Sequence, residues 1–208
     1  LEKEWKAQDE KNKSENYTSL NRQSNYSKSY FLPVQINSNS ILALKQSKTD
    51  APYFVTIDTN QIEKRLFGIA YQEQPWYSYA NDRIIWDEIR FDPRYKQRSY
   101  SVICSYNLKT KEKKQLTFKT RLFSPTLSAD GKKLIAIKIE LSNQSNIVSI
   151  DPQNGKILHT YPNPENLILQ TPALNTDGTQ LTYVSVNEKG KSLWLIDNNG
   201  KTIKLIAD

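Results

Sequence analysis

Few side chains in this sequence can carry catalytic chemistry. The 208 residues contain one histidine, His159, and one cysteine, Cys104. Nucleophilic hydrolysis needs a nucleophile beside a positioned base with its own orienting partner, and no serine or cysteine stands at a recognised spacing from His159. Cys104 lies in the β-type run Val-Ile-Cys-Ser-Tyr, where a free cysteine behaves as a small buried hydrophobe. We therefore predict that this chain holds no catalytic residue and no cofactor.

Four acidic or amide side chains recur at the ends of short β-type runs: Asp58, Asn107, Asp151 and Asp197. Calcium needs clustered oxygen ligands, but these residues are 44 to 49 positions apart. A single cysteine also excludes a zinc site built on cysteines. We predict no metal site, and we predict that these side chains cap turns by accepting hydrogen bonds from nearby backbone amides.

The stretch Asp-Pro-Arg-Tyr-Lys-Gln-Arg-Ser-Tyr at 92–100 exceeds what a simple connection needs. It is longer than the corresponding loops at 46–50 and 142–145. Loops on rigid scaffolds carry function, and arginine and tyrosine are enriched at binding hot spots. The sequence therefore predicts a partner-binding patch formed by Arg94, Tyr95, Arg98 and Tyr100. Alternatively, an arginine of this loop clasps a neighbouring blade. Asp87 and Glu88 precede the loop and are candidates for its internal partners.

The net charge of +7 raises the question of a polyanionic partner. Six cations and one acid lie between Lys109 and Arg121. Nucleic-acid surfaces favour arginines, aromatic platforms or a basic helix, whereas lysines along an exposed strand guard a sheet edge against pairing. We favour the edge strand and predict no nucleic-acid partner, with polyanion binding as the alternative. No apolar run approaches about 18 residues, which indicates no direct membrane insertion.

An internal repeat dominates the chain from residue 30 onwards. Ser-Pro-Thr-Leu-Ser-Ala-Asp-Gly at 124–131 matches Thr-Pro-Ala-Leu-Asn-Thr-Asp-Gly at 171–178, and weaker copies begin at Pro75 and Pro33. Four of the six glycines follow Asp or Asn at equivalent places: Gly131, Gly155, Gly178 and Gly200. Asp-Gly and Asn-Gly supply the positive φ of two-residue hairpin turns. Each unit therefore contains about four strands in up-and-down order.

This pattern predicts an all-β fold, a β-propeller segment of about four four-stranded antiparallel blades. The blades are expected at about 30–70, 71–119, 120–163 and 164–208. Recurrent strand aromatics are predicted to fill the space between blades: Phe54, Trp86, Tyr106, Tyr183 and Trp194. Residues 1–29 predict a short N-terminal helix and a polar linker. The sequence has no methionine, and we expect a processed product or a piece of a longer chain.

The phrase at 124–137, followed by a strand ending in Asp, resembles the WD-like β-propeller repeat of TolB and its relatives, which also occurs in the propellers of tricorn-type and prolyl-oligopeptidase-type proteases. The tryptophan usual after the proline is replaced by Leu127 and Leu174, and the second copy lacks Asp-Gly. TolB-like propellers are expected to have six or more blades. The resemblance therefore implies a segment of a larger propeller with open edges that self-associate.

A narrower resemblance is to large bacterial envelope proteins that join a metallopeptidase-like domain to such a propeller. It is carried by the stretch at 94–106 and by the opening Leu-Glu-Lys-Glu-Trp-Lys. It implies a periplasmic or cell-envelope location and a non-catalytic scaffold that binds a protein or peptide. The alternative is a substrate-gating or accessory propeller of a larger peptidase or hydrolase whose catalytic domain lies outside this chain.

Overall fold

The computed structural model describes Leu20 and residues 27–207. Within residues 27–207 the chain forms sixteen β-strands and no helix, and the strands are arranged as four four-stranded antiparallel sheets. The helix expected near the N-terminus lies outside the described residues. Nowhere in the described part is there a helix with the length and apolar character needed to cross a bilayer.

The first two sheets each pair their strands in sequence order. Blade 1 contains β1 (Lys28–Asn37), β2 (Ser40–Ser47), β3 (Tyr53–Asp58) and β4 (Glu63–Gly68). Blade 2 contains β5 (Tyr77–Ala80), β6 (Arg83–Phe91), β7 (Ser99–Asn107) and β8 (Lys113–Gln115).

The last two sheets repeat this up-and-down order. Blade 3 contains β9 (Leu122–Leu127), β10 (Leu134–Ile139), β11 (Ser145–Ile150) and β12 (Ile157–Tyr161). Blade 4 contains β13 (Ile168–Leu174), β14 (Leu181–Asn187), β15 (Gly190–Ile196) and β16 (Thr202–Ala207). The prediction of four four-stranded antiparallel blades is confirmed.

Asx side chains cap the turn between the third and fourth strands of every blade. Asp58 Oδ1 accepts from the backbone N–H groups of Asn60 (2.9 Å) and Ile62 (2.8 Å). Asp197 Oδ1 accepts in the same way from Asn199 (2.9 Å) and Lys201 (2.8 Å). Asn107 and Asp151 bond to backbone amides two residues further along, each at 2.8 Å. The capping prediction is therefore confirmed in all four blades.

The Asp-Gly turns differ from the two-residue hairpins that the sequence predicts. Six residues separate β9 from β10, because Ser128 and Lys133 close a wider loop. The Ser128 N–H donates to Lys133 O at 2.9 Å, and the Ser128 hydroxyl accepts from the Lys133 N–H at 3.0 Å. Gly131 lies inside that loop at φ 71°. Two-residue turns join other strands: Asn81 and Asp82 adopt positive φ between Ala80 and Arg83 of blade 2, and residues 38–39 and 188–189 form such turns in blades 1 and 4.

Two glycines at equivalent turns provide a matched test of backbone strain. Gly155 and Gly200 have φ of 74° and 78°. A Cβ at Gly155 would lie 2.1 Å from the Leu116 carbonyl oxygen, whereas a Cβ at Gly200 meets nothing within 4 Å. We expect Gly200→Ala to lower the free energy of unfolding by about 1 kcal/mol, and Gly155→Ala to cost about 1–3 kcal/mol more. Urea unfolding measures both, and equal losses would contradict the contact at Leu116.

Three apolar layers between successive blades form the core. The layer between blades 1 and 2 is aromatic and contains Phe54, Trp86 and Tyr106. The layer between blades 2 and 3 is aliphatic. In the layer between blades 3 and 4, Tyr183 stacks on Trp194 at 6.4 Å between ring centroids. The predicted role of the strand aromatics in packing between blades is confirmed.

The first strand of blades 1, 3 and 4 carries a bulge beside a proline. The residue before each proline has positive φ: 50° at Leu32, 50° at Ser124 and 45° at Thr171. The register of the strand pair shifts at each of these places. Such bulges take an N–H out of the ladder and bend the strand. At Ser124 the freed N–H is donated to Asp87 Oδ1 of blade 2 at 3.2 Å.

Candidate partner-binding site

The four predicted contact residues lie together at the hairpin that joins β6 to β7, which we call the blade 2 tip (residues 91–100). Arg94, Tyr95 and Arg98 are exposed, and Tyr100 is half-buried. Tyr95 is 62% exposed, and the neighbouring Phe91 is 68% exposed. Blade 2 therefore projects two guanidinium groups and two aromatic rings into solvent.

Asp92 holds the blade 2 tip in one conformation. Its Oδ1 accepts from the N–H groups of Arg94 (2.9 Å) and Tyr95 (3.3 Å), and its Oδ2 accepts from the Tyr100 hydroxyl (3.1 Å). These bonds, led by that from Arg94 N–H, lower the pKa of Asp92. The N–H of Asp92 also bonds to Arg98 O at 2.8 Å. The tip is therefore preordered, which reduces the entropy lost on binding a partner.

The arginines of the blade 2 tip do not clasp a carboxylate. The Arg98 guanidinium carbon lies 5.3 Å from the centroid of the Tyr100 ring. Neither Arg94 nor Arg98 forms a salt bridge with any other described residue. The alternative in which Asp87 and Glu88 are internal partners of the loop is wrong, because both carboxylates lie in the sheet and bond elsewhere.

A cleft of about 650 Å³ lies beside the blade 2 tip, between blades 2 and 3. Arg98 and Tyr100 contribute to one wall, and further cations line it at Lys119, Arg121 and Lys138. Lys138 is paired with Glu140 at 2.6 Å, whereas Lys119 and Arg121 form no salt bridge within residues 27–207. Glu73 also lines the cleft, so the part of this surface that favours an acidic partner is the tip with Lys119 and Arg121.

Three of the six cations of the basic segment at 109–121 have partners at the outer part of blade 2. Lys109 pairs with Asp82 at 2.5 Å, and Lys114 pairs with Glu112 at 3.0 Å. Lys113 donates to Gly68 O at 2.9 Å and lies over the Trp86 ring, which joins the outer edges of blades 1 and 2. The interpretation of this segment as an exposed edge strand agrees with β8, whose two lysines are exposed.

The histidine and the cysteine occupy structural positions. His159 is exposed on β12, with its ring edge-on to Tyr161 at 4.6 Å. Cys104 is buried, and its thiol donates to Glu88 Oε1 at 3.4 Å. Burial and the negative charge of Glu88 raise the pKa of Cys104 to about 12, so the thiolate is not formed near neutral pH. The described residues hold no group of three or more His, Cys, Asp or Glu side chains arranged for a metal ion.

Comparison with solved structures identifies the architecture. TolB from Acinetobacter baumannii superposes with a TM-score of 0.62 at 19% identity, over 79% of this chain and 39% of that one. A putative TolB from Agrobacterium tumefaciens superposes with a TM-score of 0.63 at 13% identity, over 81% of this chain and 61% of that one. A puromycin-hydrolyzing peptidase of Mycobacterium tuberculosis superposes with a TM-score of 0.60 at 12% identity, over 92% of this chain and 34% of that one. This chain has the fold of a TolB-like β-propeller.

The likeness is one of fold, at identities where sequence comparison finds nothing. No protein-family model matches the sequence, and no curated protein is similar to it. The chain spans about two fifths of the first TolB structure and three fifths of the second. The TolB-like repeat that the phrase at 124–137 resembles is thereby confirmed at the level of architecture.

Sequence reasoning missed the roles of two consecutive buried carboxylates in this TolB-like propeller. Glu88 is fully buried and faces blade 1, where Oε2 accepts from Ala70 N–H and from the Trp86 indole N–H, both at 3.0 Å. Burial alone would raise the pKa of Glu88, but these donors, with Arg90, hold it below its usual value. Asp87 faces blade 3. The signal in the sequence is a pair of acids inside the apolar run Ile-Ile-Trp-Asp-Glu-Ile.

Asp87 is expected to make the stability of the fold pH-dependent. Burial raises its pKa to about 7, and repulsion from Glu73 and Glu88 adds to this. The native state thus holds a proton that the unfolded chain releases near pH 4, so stability falls as pH rises from about 4 through 7. Asp87→Asn keeps an oxygen for the Ser124 N–H and removes the charge. We expect the variant to gain about 1–4 kcal/mol at pH 8.

Urea unfolding at pH 4.5 and pH 8 measures this effect. The gain of Asp87→Asn over the native chain is expected at pH 8 and is expected to shrink at pH 4.5, where native Asp87 is protonated. A variant that is equally destabilised at both pH values would show that the fold does not raise the pKa of Asp87.

Proposed function

We propose that this chain is a non-catalytic β-propeller scaffold that binds a protein or peptide partner through the blade 2 tip. The observation that carries the proposal is a preordered loop whose two guanidinium groups have no carboxylate partner in the described structure, beside the exposed ring of Tyr95. Arginine and tyrosine in this combination are typical of hot spots.

The charge of the surface sets the expected partner. The free cations of the tip and the adjoining cleft favour acidic side chains, and the rings of Phe91 and Tyr95 favour an apolar anchor. A peptide with an aromatic or aliphatic residue flanked by Asp or Glu satisfies both. We propose no nucleic-acid partner, because Lys109, Lys113 and Lys114 of the basic segment are already engaged within the fold. Salt-sensitive binding to duplex DNA would contradict this.

A peptide-display selection against the immobilised chain tests the proposal. Selected peptides are expected to lose at least about 10-fold in affinity for the double variant Arg94→Ala, Tyr95→Ala, which corresponds to about 1.4 kcal/mol. The matched control is Lys48→Ala in the corresponding β2–β3 hairpin of blade 1, which is exposed and is expected to leave affinity unchanged. Equal affinity for the native chain and the tip variant would overturn the proposed site.

We propose a periplasmic or cell-envelope location for the protein that contains this chain. The support is its resemblance to envelope proteins and the TolB-like fold, because nothing in the chemistry of the chain assigns a compartment. Fractionation of the source cells, probed with an antibody to the chain, is expected to place it in the envelope. A purely cytoplasmic signal would contradict this location.

The second candidate is an accessory propeller that filters substrates for a larger peptidase. It is favoured by the superposition on the Mycobacterium tuberculosis peptidase, of which this chain covers 34%. The sequence that flanks this chain in the full reading frame distinguishes the two candidate functions. A hydrolase motif flanking these residues would favour the accessory role, and peptidase activity of the full protein that changes when the propeller is removed would establish it.

We also propose that the outer face of blade 4 supports self-association. Strand register places Ile203 and Ile206 on the face that points away from blade 3, opposite to Ile196, and Ile206 is 61% exposed. Apolar sheet faces of this kind bury themselves against another sheet. Sedimentation is expected to show a concentration-dependent dimer that Ile206→Asp abolishes, and a strictly monomeric native chain would contradict it.

A further inference from the structure

A small cavity lies where the segment before β5 and strand β6 of blade 2 meet the first strands of blades 3 and 4, at the same end of the propeller as the blade 2 tip. Its volume is about 240 Å³. Two carboxylates line it, Glu73 and Asp87, together with the rings of Trp76 and Phe123. The remaining walls are aliphatic or uncharged polar, and the lining contains no lysine or arginine. The cavity is therefore acidic, although the chain as a whole is basic.

Asp87 is a buried carboxyl group that, once ionised, has no counter-ion in the described residues. Its side chain belongs to a residue only 4% exposed, and its one bond to another residue is from the Ser124 N–H at 3.2 Å. Buried charges are ordinarily paired with a charge of opposite sign. In the described structure Glu88 has Arg90 as its partner, whereas Asp87 is in no salt bridge. A cation that pairs with Asp87 would have to lie in the cavity that Asp87 lines.

The walls of the cavity are held in place before any ligand binds. The Trp76 indole N–H donates to Pro125 O at 3.1 Å, which fixes the ring of blade 2 against blade 3. The Thr126 hydroxyl donates to Pro172 O at 2.8 Å, which ties blade 3 to blade 4. Preformed pockets with a few placed polar groups are typical of ligand sites, and aromatic faces attract cations.

We propose that this cavity binds the side chain of a lysine presented by a peptide or protein. The ammonium group would sit between the carboxylates of Asp87 and Glu73, beside the Trp76 ring, and the methylene stem would lie along Ile139, Ile168 and Leu169. The volume accommodates one long side chain and not a folded segment. This inference goes beyond the proposed function, because the site uses no residue of the blade 2 tip and can be tested without any selected peptide. The cavity shares Glu73, Phe123 and Ile139 with the adjoining cleft.

The probe is Nα-acetyl-lysine N-methylamide, titrated into the ¹⁵N-labelled chain at pH 8. The indole N–H signal of Trp76, assigned with Trp76→Phe, is expected to move saturably. The matched control probe is the Nε-acetylated form of the same compound, which keeps the length and loses the charge. It is expected to bind at least about 10-fold more weakly. Equal binding of the two probes would overturn the proposal.

Two variants locate the site. Asp87→Asn, expected to fold because it removes an uncompensated charge, should weaken the lysine probe at least about 10-fold. Ile168 is exposed and lines the cavity, so Ile168→Trp narrows the cavity opening and should weaken binding of the lysine probe by a similar factor. The matched control is Glu112→Gln, which removes an exposed carboxylate paired with Lys114, lines neither the cavity nor the cleft, and should leave affinity unchanged. Native affinity in both site variants would overturn the proposal.

The pH dependence gives an independent readout. The charged groups that act on Asp87 are Glu73, from the segment before β5, and Glu88, on its own strand. From blade 3 the Ser124 N–H donates to Asp87. Because the carboxylate must ionise to hold an ammonium, affinity is expected to rise between pH 6 and pH 8, while the probe amine stays charged. An affinity that does not change over this range would overturn the lysine assignment. A second probe carries a free α-amine and an acetylated side chain, and tighter binding of that probe would also overturn the assignment.

Discussion

Replacing Trp86 by alanine is expected to lower the free energy of unfolding by about 3–5 kcal/mol. Trp86 is fully buried between blades 1 and 2, where its ring centroid lies 5.7 Å from that of Phe54 and 5.2 Å from that of Phe67. Its indole N–H donates to Glu88 at 3.0 Å. The substitution removes the largest side chain of this layer and leaves Glu88 without one donor.

Urea unfolding followed by far-ultraviolet circular dichroism measures the loss. The matched control is Trp194→Ala, because Trp194 is only half-buried at the outer part of blade 4 and bonds to Ser185. We expect the control to cost less than half as much. A Trp86→Ala variant as stable as Trp194→Ala would show that the aromatic layer between blades 1 and 2 does not form.

Replacing Glu88 by alanine is expected to cost about 3–5 kcal/mol. The change strips an acceptor from the Ala70 N–H and the Trp86 indole, leaves the Cys104 thiol without its partner, and removes the partner of Arg90. Two of these groups lie in the core of blade 2, where an unsatisfied donor costs about 1–3 kcal/mol. Ala70 belongs to the segment that leads from blade 1 to blade 2, so the loss also loosens the junction between the blades.

The pH dependence of this loss has a definite sign. Because the pKa of Glu88 is lowered in the native state, its contribution is full above the unfolded value of about 4.5 and is lost as pH falls through the native pKa. The gap between the native chain and Glu88→Ala should therefore narrow at pH 3. Glu140→Gln, which breaks an exposed pair with Lys138, is the control and should cost under about 1 kcal/mol. Equal costs for the two variants would contradict the role of Glu88.

The blade count follows from the sequence because turn chemistry is local. An Asx oxygen reaches the amide two residues further along wherever the chain turns, so Asp58 and Asp197 mark their turns without help from the rest of the fold. The same locality limits the prediction. Asp-Gly requires positive φ at Gly131 but does not fix the loop length, which Ser128 sets by bonding to Lys133.

The faces of the strands could not be predicted in the same way. A strand buried on both faces gives a nearly continuous apolar run without alternation, and β6 is such a strand. The sequence places Asp87 and Glu88 side by side but does not show that one faces blade 3 and the other blade 1. The cavity at Asp87 is built from Trp76, Phe123 and Ile168, which belong to three different blades. Their proximity depends on how the blades stack, and no short spacing reveals it.

The blade 2 tip was predictable because its composition exceeds what a hairpin needs. The side chains of Arg94 and Tyr95 are exposed in the structure, and their role in binding a partner stays a prediction. The role of Asp92 as the organiser of the tip was not predicted, since it depends on the return of Tyr100 along β7 to within 3.1 Å.

Chemical-shift mapping of a display-selected peptide on the ¹⁵N-labelled chain tests the proposed function most directly. Amide shifts are expected to concentrate at residues 91–100 and at Lys119 and Arg121, on the end of the propeller that carries the blade 2 tip. Shifts confined to the opposite end, around the capped turns at Asp58, Asn107 and Asp151, would contradict the assignment of the partner surface.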